Sequence, residues 1–105
     1  HYAVYGSLVL DNNIRKEDFN KLVPFVENWY HYMSSFFMKA YLDTVEGSPF
    51  IPANKQDLET LMTTFLLEKA IYELNYELNN RPGWVMIPLR GIKSLMRKDA
   101  IAVAG

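Results

Sequence analysis

The stretch Phe65–Leu89, FLLEKAIYELNYELNNRPGWVMIPL, decides the fold. Its first half is periodic, Asn79-Asn80-Arg81-Pro82-Gly83 forces a sharp turn, and Trp84 with a short apolar run follows. On a wheel of about 100° per residue, Leu58, Leu61, Met62, Phe65, Tyr72 and Tyr76 share one face, with Lys69 among them. From Leu67 onward a second apolar face opens opposite the first, through Ala70, Ile71, Leu74 and Leu78. A surface helix carries one apolar stripe. A helix apolar on two sides is expected to sit centrally.

The first face changes character along its length. It begins as hydrocarbon and ends in Lys69, Tyr72 and Tyr76, flanked by Glu68 and Glu73. Tyrosines four apart stand one above the other and present apolar rings with hydroxyl tips. Such rings suit sugars, whose C–H faces stack on them while hydroxyls seek charged or amide partners. They equally suit a core with satisfied hydroxyls, in which Lys69 pairs with Glu73 one turn on.

Outward from this helix, the chain reads as helical throughout. His1 to Leu10 is apolar and aromatic, as at the end of a helix, and Asp11-Asn12-Asn13 is a turn signal. Arg15 to Val23 suits a short helix. Pro24 then opens or kinks the next one, expected from about Pro24 to Val45, with Phe25, Trp29, Met33, Phe36, Phe37, Ala40 and Tyr41 as its stripe. Gly47 supplies a stop, SPFIPA an extended connection, and Asn54 an N-cap with Asp57 at the positive end of the long helix. Pro88 opens a last helix through about Arg97, and the tail Asp99–Gly105 is expected to fray. The expectation is an all-α fold of about four helices over residues 1–105. Two long ones pack as neighbours and bury Phe36, Phe37, Phe65, Leu67, Ile71 and Leu74.

Composition narrows the function. With 11 basic and 12 acidic residues the net charge is −1, which gives no electrostatic case for nucleic acid or an anionic membrane. The absence of cysteine excludes disulfide and thiolate-zinc frameworks and suits a cytoplasmic setting. No signal peptide, apolar run of transmembrane length or internal repeat is present. The aromatic density around Trp29 to Phe37 lacks interleaved Arg and Lys, so packing is a better account of it than base stacking. His31 has no second ligand at metal spacing.

EKAIYELNYELNNRPGWVMIPLRGI resembles the C-terminal signature of maltokinases, including those fused behind a trehalose synthase. HYAVYG at the start, and WYHYMSSFFMKAYL followed by PFIP, fit the same family in order and spacing, so the resemblance runs from His1 to about Leu95. It implies the helical C-terminal subdomain of a kinase-like C-lobe, a piece of a longer chain that moves phosphate from ATP, with Mg2+, to maltose or a related disaccharide. In that family this subdomain forms the sugar-acceptor wall. On matching positions, Tyr72, Tyr76 and Trp84 would give aromatic contacts, and Lys69, Glu73 and Arg81 polar ones, with Glu68 and Glu77 nearby. Gly83 departs from the aspartate common in relatives, and Arg81 is also placed to cap helix carbonyls.

A phosphotransferase needs a catalytic aspartate, magnesium ligands and a lysine on the nucleotide phosphates. None of their sequence contexts occurs: no HxDxxxxN-like loop, DFG-like triplet, P-loop or glycine-rich nucleotide loop. The chain alone is therefore expected to be inactive, with ATP and Mg2+ bound only in the parent enzyme. Its partners would be the upstream kinase lobes, or a second copy through apolar surface those lobes would cover. The alternative is a stand-alone helical interaction module without enzymatic activity.

Overall fold

A computed structural model describes residues 1–10 and 14–97, and every regular element in them is helical. The helices are α1 (Tyr2–Leu10), α2 (Lys16–Thr44), α3 (Lys55–Asn80) and α4 (Met86–Met96), with a 3-10 turn over Pro82–Trp84 before α4. The fold is therefore all-α with four helices. The expected turn at Asp11-Asn12-Asn13 and the tail Asp99–Gly105 lie outside the described residues.

Local chemistry accounts for the boundaries of α3. Asn54 is extended, and its side-chain oxygen accepts from the Gln56 N–H at 2.8 Å, while Asp57 sits in the first turn. Substituting such a cap by alanine typically costs about 1 kcal/mol. At the other end the Arg81 N–H donates to the Glu77 carbonyl at 2.8 Å, and Pro82 starts the 3-10 turn. Gly47, just beyond α2, takes φ +77°, a left-handed conformation that glycine adopts without penalty.

Pro24 does not begin a helix; it lies inside α2, which runs unbroken for 29 residues. The reason lies in the spacing on either side of it. Phe19, Leu22 and Val26 all pack against the core, at i, i+3 and i+7, so one stripe crosses the proline. Holding that stripe in register offsets the missing N–H. The last helix likewise begins at Met86, two residues before Pro88, which falls in its first turn.

The core lies at one end of the molecule. Tyr5, Leu8 and Ile87 are buried there, with Tyr2, Val4, Ile14, Phe19, Leu22, Val26 and Trp84 packed around them. The close helix pairs are α3 with α4 and the 3-10 turn, α1 with α2, and α1 with α4. The two long helices are not among these pairs, so they are not packed neighbours, and α3 is not central.

The expected core list fails with that arrangement. Phe36 is 63% exposed and Phe37 69%, Phe65, Leu67 and Ile71 are also exposed, and Leu74 is only half-buried. The stripes exist, but these side chains are left largely open to solvent. Phe25, Trp29, Tyr32, Met33 and Tyr41 extend the open face of α2.

An apolar face of this extent favours association. Light scattering on the isolated chain is expected to give a concentration-dependent mass above the 12.2 kDa monomer. Helix exchange through the Gly47–Pro52 hinge is one route to it. Phe36→Ser with Phe37→Ser should restore the monomer. A monomer that persists at all concentrations in the parent sequence contradicts the expectation.

Candidate functional site: an aromatic face anchored by a buried carboxylate

The second half of α3 projects Lys69, Tyr72, Glu73, Tyr76 and Glu77 at spacings of three and four, along one face. Glu77 is the exception in exposure: it is fully buried, the only buried charged residue among the described ones. Its carboxylate is fully engaged. Arg81 Nε donates to Oε2 at 2.9 Å, Arg81 Nη2 donates to Oε1 at 2.7 Å, and the Tyr2 hydroxyl donates to Oε1 at 2.9 Å.

A bidentate guanidinium–carboxylate pair is among the stronger polar contacts available to a protein. Burial of Glu77 is tolerable because all three donors converge on it. Burial pushes the Tyr2 phenol well above its ordinary range, and its hydrogen bond to Glu77 and the charges of Glu77 and Glu73 act in the same direction. Tyr2 therefore stays a neutral donor at any physiological pH.

Arg81 does more than close the pair. Its guanidinium lies 4.2 Å from the Trp84 ring centroid and 5.5 Å from that of Tyr76, so one cation bridges two rings. Trp84 is half-buried: its ring stacks near that of Tyr2, centroids 6.1 Å apart, and lies beside Gly6. The sharp turn thus carries Trp84 back to the end of α3 and also docks it on α1. The Arg81 side chain goes to the Glu77 carboxylate rather than to helix carbonyls.

The tyrosines themselves are open. Tyr72 is 62% exposed and Tyr76 43%, which removes them from any core role in this structure. Lys69 forms an ion pair with Glu73 and places its Nζ 4.9 Å from the Tyr72 ring centroid. Glu68 is exposed and makes no ion pair among those described. The six residues expected at the site fall into two adjoining sets, Lys69 with Tyr72 and Glu73, and one turn on, Arg81 with Tyr76 and Trp84. Tyr2 is the member that sequence reasoning missed. The i, i+4 spacing of Glu77 and Arg81 was a visible signal of their pair; a tyrosine 75 positions away was not.

Among the described residues no group of three or more His, Asp or Glu could hold a metal ion, and no helix is long and apolar enough to cross a membrane. No family model and no solved structure matches this chain.

Proposed function

We propose that the chain is the C-terminal helical part of a maltokinase and forms part of its sugar-acceptor wall. The observation that carries this reading is the pair of solvent-facing rings, Tyr72 and Tyr76, with the Lys69–Glu73 pair and Arg81 beside them. An exposed aromatic ladder edged by charge is costly to leave in water. It also offers what a disaccharide requires, flat apolar faces with hydrogen-bonding groups at their rims. The sequence resemblance supports assigning maltose as the acceptor and ATP with Mg2+ as the donor, held by upstream lobes of a cytoplasmic enzyme.

The test is ATP-dependent phosphorylation of maltose by the intact parent enzyme, followed by phosphorus NMR. Absence of a phosphorylated sugar would defeat the proposal. In the division of labour it implies, the 105-residue chain alone binds no nucleotide. Calorimetric titration with Mg-ATP is expected to give no saturable heat, and a micromolar site would place the donor chemistry elsewhere than proposed.

The open stripe of α2 favours a second reading, a helical interaction module with no enzymatic parent. The upstream gene sequence separates the two: a histidine-aspartate catalytic loop and a magnesium aspartate belong only to the kinase.

A further inference from the structure

A second recess lies apart from the aromatic face. It is a cleft of about 460 Å3 bordered by α4, the middle of α2 and the start of α1. That volume falls in the usual range for small-molecule sites, about 300–1,000 Å3. Arg90, Lys93 and Arg97 line one wall, at spacings that place them along one side of the end of α4. None of the three belongs to any of the ion pairs among the described residues.

Arg90 is held in place by aromatic rings rather than by a carboxylate. Its guanidinium lies 4.8 Å from the Tyr5 ring centroid and 5.6 Å from that of Phe19. The opposite wall, from α2, differs in character: Glu27, whose Oε1 accepts from the Tyr5 hydroxyl at 3.3 Å, with Tyr30 and His31 beside it. The cleft is thus cationic on one side, and on the other offers a carboxylate acceptor and ring surface.

The geometry points to a binding site for a small hydroxyl-bearing phosphate ester, with its phosphate on Arg90, Lys93 and Arg97 and its hydroxyls toward Glu27. Two guanidiniums and an ammonium suit a dianionic phosphate better than a lone carboxylate, because planar donor forks engage several phosphate oxygens together. The acidic group on the facing wall repels a bare anion but accepts from a hydroxyl. It therefore selects for the ester over inorganic phosphate. The site is independent of the sugar-wall proposal, since it shares no residue with the aromatic face.

The test is an NMR titration of the isotopically labelled chain at low ionic strength, with glucose 6-phosphate, inorganic phosphate and glucose run in parallel. Glucose 6-phosphate is expected to give saturable shifts at the Tyr30, His31, Lys93 and Ser94 amides, with a dissociation constant below about 1 mM. Inorganic phosphate should bind roughly ten-fold more weakly and glucose not at all. Lys93→Gln combined with Arg97→Gln should weaken the ester at least about ten-fold at unchanged helicity. Lys55→Gln, on α3 and outside the cleft, should change nothing.

Absence of saturable shifts would make the three bases surface charges that offset the α4 dipole, and would overturn the proposal. Binding undiminished in the double variant would overturn it too. Equal affinity for phosphate and the ester would remove the assigned role of Glu27.

Discussion

Glu77→Ala is expected to lower the stability of the chain by about 3 kcal/mol, near the bottom of the range for breaking a buried ion pair. For a domain of this size that corresponds to a fall in melting temperature of roughly 15 °C. The figure sits low in the range because the Arg81 side chain, 44% exposed, can recover water when its carboxylate is removed. Tyr2 loses its acceptor, and a cavity opens where a fully buried side chain stood.

Glu77→Gln keeps the volume and one acceptor, and should cost about half as much. The reciprocal change, Arg81→Ala, strands the carboxylate in the interior, so its melting temperature should fall at least as far as that of Glu77→Ala. A double-mutant cycle of Glu77→Gln with Tyr2→Phe should return a coupling of about 0.5–3 kcal/mol. Additive effects, or a Glu77→Ala variant that melts like the parent, would mean that the convergence on this carboxylate contributes nothing.

The second large effect follows from the proposed function and concerns catalysis in the intact enzyme which that proposal implies. Trp84→Ala is expected to raise KM for maltose roughly ten-fold and leave KM for ATP unchanged, since loss of a stacked aromatic contact is worth about 1–3 kcal/mol. The structure adds a complication that sequence alone did not reveal: Trp84 also packs on Tyr2 and Arg81, so this variant should melt lower as well. Tyr72→Ala separates the two contributions. Its ring is mostly in solvent, so its removal should spare the fold and still weaken maltose. Tyr76→Phe should cost less than either, because it keeps the ring and loses only a hydroxyl hydrogen bond of about 0.5–1.5 kcal/mol. Normal maltose kinetics in Tyr72→Ala and Trp84→Ala alike would end the sugar-wall reading.

What could be read from the sequence was mostly local. The Asn54 cap, the stop at Gly47, the turn at Pro82 and the Lys69–Glu73 pair each depend on residues within a few positions, and each is found where the sequence places it. The all-α class followed from periodicity, which is likewise local. Burial did not follow. Periodicity identifies the apolar side of a helix but says nothing about which element covers it, and Phe36, Phe37 and Phe65 are left largely open to solvent. Pro24 misled for a related reason: its own preference favours a boundary, whereas the Phe19–Leu22–Val26 stripe that overrides it matters only once α1 and α4 are in place. Within the site, the six residues on and just after α3 were visible because they lie close together in sequence. Tyr2, supplied by α1, required the tertiary fold.

The one-ended core also means that α3 is not uniformly anchored. Its C-terminal end carries Glu77 and faces α4, while Phe65, Leu66 and Leu67 at its middle are exposed to water. Local opening follows the density of buried contacts. Backbone amides around Phe65–Leu67 should therefore exchange with solvent through small excursions that leave the rest of the chain folded. Those around Tyr76 and Glu77 should exchange only when α1 and α4 also let go. Under the proposed function, the rings meant to meet a sugar stand on the slow-exchanging end of the rod, held in place before any ligand arrives.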